Sequence, residues 1–118
     1  MKKAFLKYPL QSIWTKIALI SLIAYPLGVL AQSKTEHVIS QKNRTYAPGA
    51  IEINVGDTVK VVNDDIFLHH AFIESDDLEF DSGSMEEMES ASVRFKKPGT
   101  YNMKCAIHPK MNLEITVK

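Results

Sequence analysis

Between Ile51 and Val117, apolar side chains recur at every second position in short runs, each closed by residues that turn the chain. Ile51, Ile53 and Val55 alternate with Glu52 and Asn54. Val59 and Val61 flank Lys60 beyond Gly56-Asp57, Val93 and Phe95 alternate with Ser92 and Arg94, and Leu113, Ile115 and Val117 end the sequence. A period of two sends successive side chains to opposite faces of a strand, so each run has one face for a core and one for water. Gly56-Asp57 reads as a hairpin signal and Pro98-Gly99 as a further turn. Adding Val38-Ile39 and the stretch His69 to Ile73, about seven strands are available. The fold this pattern predicts is all-β, a Greek-key β-sandwich. The one helical expectation is a single turn within Ser84 to Ser90, where Met85, Glu86, Glu87, Met88 and Glu89 are good helix formers.

The strand that follows Pro98-Gly99 carries the chemistry. Tyr101, Met103 and Cys105 share one face, and Asn102 and Lys104 share the other. This parity puts the Cys105 sulfur on the core face at the strand's end. Cys105, His108 and Met111 then follow one another at Cys-x2-His-x2-Met spacing, in a chain with no other cysteine. Two imidazoles, a thiolate and a weak axial thioether form the ligand pattern of blue-copper centres, and the softness of the sulfurs favours copper over harder ions. The second imidazole is expected upstream, in Asn63-Asp64-Asp65-Ile66-Phe67-Leu68-His69-His70. Met103, on the Cys105 face, is expected to pack in the core, and His37 to be solvent-exposed.

The first part of the chain has another character. Lysines at positions 2, 3, 7 and 16 precede the apolar run Ile17 to Leu30, and Val29-Leu30-Ala31 stands before Gln32. That order of charged, apolar and small residues is the pattern of a secretory signal peptide, with cleavage expected after Ala31. As a membrane anchor Ile17 to Ala31 is short, since a span needs roughly 17–25 residues, and Pro26 and Gly28 interrupt it. The expected organisation is therefore a signal peptide at 1–31 and one domain at 32–118, exported and soluble in the periplasm, with no stable membrane insertion after cleavage. The 118-residue chain is formally neutral, but its first 31 residues hold four lysines and no acid, so the 87 residues left carry a net charge of −4. An acidic domain without a basic stripe excludes nucleic acid as a natural partner. In an oxidising compartment a single thiol cannot form an internal disulfide, so Cys105 must be protected or used.

Residues 37–118 resemble the cupredoxins, and among them the plastocyanin and amicyanin group. The resemblance rests on Asn63 with His69 six residues later, on Pro98-Gly99-Thr100-Tyr101, and on Cys105-Ala106-Ile107-His108-Pro109-Lys110-Met111, which looks like the short amicyanin ligand loop. Gln41-Lys42-Asn43 is also similar to a motif of plastocyanin-like proteins associated with methylamine utilisation. The resemblance implies one copper ion cycling between Cu(I) and Cu(II), held by His69, Cys105, His108 and Met111. It implies His69 rather than His70 as the upstream ligand, since His70 stands where the group usually has an Asn that ties the ligand loops together. His70 is then open to two roles, a hydrogen-bond donor behind the site or a titrating charge beside it.

The function implied is a periplasmic one-electron carrier, a monomer and not an enzyme, that exchanges electrons with a redox protein such as a c-type cytochrome or a periplasmic dehydrogenase. His108 would be the electron port, with Ile107 and Pro109 forming part of an apolar patch around it. The alternative is a periplasmic copper-trafficking or storage protein, for which Met85 and Met88 would offer soft sulfur. An oxidase or nitrite reductase needs a second copper site, and four histidines, two of them adjacent, are too few. From Glu74 to Glu89 there are eight acids and no Lys or Arg, a segment able to steer a basic partner.

Overall fold

The computed structural model describes Gly28 and residues 33–118. The expected signal segment at 1–31 thus lies, Gly28 apart, outside the described residues. Nine strands follow one another: β1 (Glu36–Lys42), β2 (Thr45–Ala47), β3 (Ala50–Ile53), β4 (Thr58–Asn63), β5 (Ala71–Glu74), β6 (Glu79–Asp81), β7 (Ser90–Arg94), β8 (Gly99–Cys105) and β9 (Asn112–Val117). They form a four-stranded sheet in the order β2-β1-β4-β7 and a five-stranded sheet in the order β3-β9-β8-β5-β6. β1 and β4 are parallel, as are β3 and β9, and the other pairs are antiparallel. The fold is an all-β, cupredoxin-type sandwich, and no helix occurs among the described residues.

Alternation in sequence becomes alternation in burial. In β8 Tyr101, Met103 and Cys105 are buried between exposed neighbours, and in β9 Leu113, Ile115 and Val117 are. Ile39, Val59, Val61 and Phe95 from the facing sheet complete the core with Ile53 and Ile73. Each such side chain contributes about 1.5–3 kcal/mol relative to exposure. Asn63 occupies the next core-facing position of β4 and is fully buried, which makes it the point where the apolar core gives way to a polar network.

Three expectations are corrected. Ile51 to Val61 is not a hairpin: β3 pairs with β9, β4 pairs with β1 and β7, and Gly56 carries the chain between the sheets. Gly56 has φ +94° and donates its N–H to Phe95 O at 2.7 Å, so the glycine serves a crossover turn and Val55, beyond the end of β3, is partly exposed. The strands number nine because β2 and β6 were not read from alternation. β2 follows a two-residue turn in which Asn43 and Arg44 both have φ near +55°, the conformation of a type I′ hairpin without its usual glycine. The segment 84–90 forms no helix. Met85 bridges to His69, Met88 has φ +70° and gives its N–H to Asn63 O, and Glu86–Glu89 closes only as a turn. His37 is not free in solvent either: its Nε2 lies 3.0 Å from Asp57 Oδ2 and its side chain is 30 % exposed.

Candidate metal centre

At one end of the sandwich β8 and β9 are joined by the loop that follows Cys105. Lys104 and Asn112 form the last pair of the ladder. Met111 N–H donates to His108 O at 2.9 Å, closing the loop on itself, and Ala106 N–H donates to His70 O at 2.9 Å, fastening it to the neighbouring strand. Cys105 is 2 % exposed and Met111 1 %.

His69 reaches the same place from β5's entry. Its backbone exchanges two hydrogen bonds with Met85, at 3.2 and 2.7 Å. Asn63 holds this crossing from below, because Nδ2 donates to Phe67 O at 2.8 Å and to Met85 O at 2.9 Å while Oδ1 accepts from Asp65 N. All the hydrogen-bonding capacity of a fully buried amide is thus spent on fixing the segment that carries His69.

The two segments bring three side chains together. Cys105 Sγ lies 3.8 Å from His69 Nδ1 and 3.8 Å from His108 Nδ1, and the two Nδ1 atoms are 3.2 Å apart. A circle through the three atoms has a radius of about 2.1 Å, the bond length of a first-row metal to imidazole and thiolate. Two imidazole nitrogens and a sulfur pointing at one another at these separations repel unless a cation lies among them, so the donor set fits a soft metal ion. Burial, then the charges of His69 and Arg44, push the His108 imidazole below its usual pKa despite the opposing effect of Asp65. That favours the neutral form, which has a lone pair to offer.

Behind His69 stands Asp65, 7 % exposed. His69 Nε2 lies 2.8 Å from its Oδ2, Arg44 N–H donates to Oδ2 at 3.0 Å and Asn43 N–H to Oδ1 at 2.8 Å. Burial alone would raise the carboxyl pKa, but the hydrogen bonds from Arg44, His69 and Asn43 outweigh it and hold Asp65 below the usual range. An ionised carboxylate only accepts. The His69 proton therefore sits on Nε2, and the lone pair of Nδ1 faces Cys105 and His108.

The adjacent histidine does something else. The backbone N–H of His70 reaches Cys105 Sγ at 3.5 Å, and its ring pairs with Asp81 Oδ1 at 2.6 Å on the flank of the sheet. The main chain of His70, not its imidazole, makes the tie to the Cys105 loop. Of the methionine pair, Met85 is buried and Met88 is 74 % exposed, so the two do not share a face.

Around His108 the surface is apolar with a cationic margin. The Phe67 ring meets the His108 ring edge-on with centroids 6.5 Å apart, and Ile66, Leu68 and Ile107 are exposed nearby in the chain. Arg44 stacks over Phe67 at 4.1 Å and lines, with Ile107, His108, Pro109 and Lys110, a cleft of about 300 Å³. Sequence reading found Ile107 and Pro109 but missed Phe67, Arg44 and Asp65. A signal existed for Asp65, which precedes His69 by four residues.

Known proteins show the same architecture. A Cu(I) form of an amicyanin mutant superposes with a TM-score of 0.67 at 24 % identity, covering 73 % of this chain and 85 % of that one. A reduced Cu(I) amicyanin mutant at pH 4 gives 0.65 at 25 % identity, covering 69 % and 80 %. A copper-containing nitrite reductase from Thermus scotoductus SA-01 gives 0.64 at 29 % identity over 69 % of this chain, but only 22 % of the reductase is spanned. No curated protein matches the chain in sequence. The family model for the cupredoxin-like domain matches residues 13–117. Sandwich, clustered His69, Cys105 and His108, and family match agree, and the chain belongs to the cupredoxins, with amicyanin-like architecture and a potential copper site.

Proposed function

We propose that the protein is a periplasmic one-electron carrier whose copper is held by His69, Cys105, His108 and Met111. Convergence of two Nδ1 atoms and one sulfur within 3.8 Å of one another carries this reading. Copper bound there supplies one-electron chemistry between Cu(I) and Cu(II). Cys105 supplies a thiolate, His69 and His108 complete the trigonal set, and Met111, buried on the same loop, is assigned the axial thioether. Rigid placement of the donors keeps one geometry in both oxidation states: His69 is pinned by Met85 and Asp65, Cys105 by the strand ladder and His70 N–H, and His108 by its bond to Met111. Little then has to reorganise when an electron moves.

His108 is the only member of the set that is not fully buried, which favours it as the port where a redox protein docks, against the apolar surface of Phe67 and Ile107. The nitrite reductase is spanned over about a fifth of its length, so its activity is not carried over, and we assign a carrier role rather than an enzymatic one. Export rests on the signal-like order of residues 1–31. The docking partner remains a redox protein of the c-type cytochrome or periplasmic dehydrogenase kind. The test is to add Cu(II) to the purified protein, count the metal, and record optical and paramagnetic-resonance spectra. One copper per chain with an intense thiolate-to-copper band, lost in Cys105→Ser, is expected. Folded protein that stays colourless under oxidant overturns the proposal.

A further inference from the structure

We infer that Asp65 is a positioning residue that sets the reduction potential of the centre, by holding the His69 ring in one tautomer and by keeping a negative charge one imidazole away from the metal. The inference rests on the copper-carrier reading above, and three observations of this chain support it. Asp65 and His69 are both buried, at 7 % and 0 % exposed, and their 2.8 Å contact is shielded from water. Both carboxylate oxygens are otherwise occupied by the consecutive N–H groups of Asn43 and Arg44, which form a small anion-binding nest. That nest comes from two successive non-glycine residues at φ +54° and +55°, a conformation uncommon for an arginine. The backbone is thus bent in the way that turns both N–H groups onto the carboxylate.

The consequence is electrostatic. Cu(II) carries one more positive charge than Cu(I), so a fixed anion near the centre favours the oxidised state and lowers the potential. A carboxylate accepting from a ligand imidazole also raises that imidazole's basicity and fixes its direction. Asp65→Asn keeps the size and an acceptor oxygen but removes the charge.

The experiment compares wild type, Asp65→Asn and, as a matched control, Asp57→Asn at one pH, measuring reduction potential and the affinities for Cu(II) and Cu(I) separately. Asp57 is a buried carboxylate that also accepts from one histidine and two backbone N–H groups. Expected for Asp65→Asn is a higher potential, with Cu(II) affinity falling about 10–100-fold and Cu(I) affinity falling less, while Asp57→Asn changes neither. Equal losses for both oxidation states, leaving the potential where it was, would show a merely structural role and overturn the inference. If Asp65→Asn does not fold, the wild-type protein loaded with Zn(II) decides. A slowly exchanging, downfield His69 Nε2 proton in its NMR spectrum supports the inference, and a His69 ring protonated on Nδ1 or exchanging freely overturns it. Wild-type protein that takes up no copper sinks the carrier reading as well, whereas blue wild type with an unmoved variant sinks this inference alone.

Discussion

Two histidine–aspartate pairs flank the same strand, and they are built alike. Asp57 precedes β4 and Asp65 follows it. Each is buried, each accepts two backbone N–H groups, and each accepts from the Nε2 of a histidine, His37 at 3.0 Å and His69 at 2.8 Å. What differs is the far side of the ring. His37 sits at the start of β1 with its side chain 30 % exposed, whereas His69 is sealed, and its Nδ1 meets a sulfur and a second imidazole. The same local device therefore fastens chain segments at one end of the sandwich and prepares a metal donor at the other. Pairing alone does not mark a functional histidine; the surroundings of the other ring nitrogen do.

The largest expected effect breaks the comparison at the rings. His69→Gln should abolish the intense thiolate-to-copper band, while His37→Gln and His70→Gln should leave it in place, as read by visible spectroscopy after Cu(II) addition. Loss of the band in His70→Gln but not in His69→Gln would reverse the assignment.

Next in size is the polar support found only at the metal end. Asn63→Ala leaves Phe67 O, Met85 O and Asp65 N without their partner. Stranding buried backbone groups costs about 1–3 kcal/mol each where water cannot replace the amide, so a loss of about 3 kcal/mol or more is expected in urea unfolding of the metal-free protein. A loss below about 1 kcal/mol would mean that water takes the amide's place.

A smaller effect separates the ends by acid. The hydrogen bond from His37, followed by those from Thr35 and Asn54 N–H, lowers the Asp57 pKa to about 2. Because the folded-state value lies below the unfolded one of about 3.9, the stabilisation is complete above about pH 4 and is lost as pH falls towards 2. Asp57→Asn should therefore be less stable than wild type at pH 6 and equal to it near pH 2, by urea midpoint. A gap that persists at pH 2 would locate the effect in packing instead of charge.

How much of this was legible in the sequence follows the same division. Alternation placed Tyr101, Met103 and Cys105 on the core face, and the structure buries all three, because one-sided burial is what a period of two encodes. It could not tell a hairpin from a crossover at Gly56-Asp57, since a turn residue sets the bend of the chain and not the partner of the next strand. β2 was missed because Asn43-Arg44 lacks the glycine that normally marks such a turn, and β6 because its three residues lie in an acidic run. Sequence spacing and family resemblance named the residues that converge here, His69, Cys105 and His108. Asp65 escaped because its role depends on the nest made by β1's far end, 21 and 22 residues away along the chain.

The smallest expected effect uses Arg44, which belongs to both the buried pair and the surface. Its backbone N–H holds Asp65, while its guanidinium lies over Phe67 beside His108, next to Lys110 in the same cleft. Arg44→Gln and Lys110→Gln retain the backbone bonds and remove only surface charge. If electrons pass through His108, each substitution should slow oxidation of the reduced protein by ferricyanide and speed oxidation by a cationic cobalt complex. At about 10 Å in water a unit charge acts on a trivalent ion by about 1 kcal/mol, and salt screens part of that. The expected change is about two- to five-fold at low ionic strength, vanishing at high salt, with the reduction potential almost unmoved. Equal rates with both probes at low salt would mean that electrons leave elsewhere, and a large shift in potential would mean that the Arg44 side chain, too, helps to hold Asp65 in place.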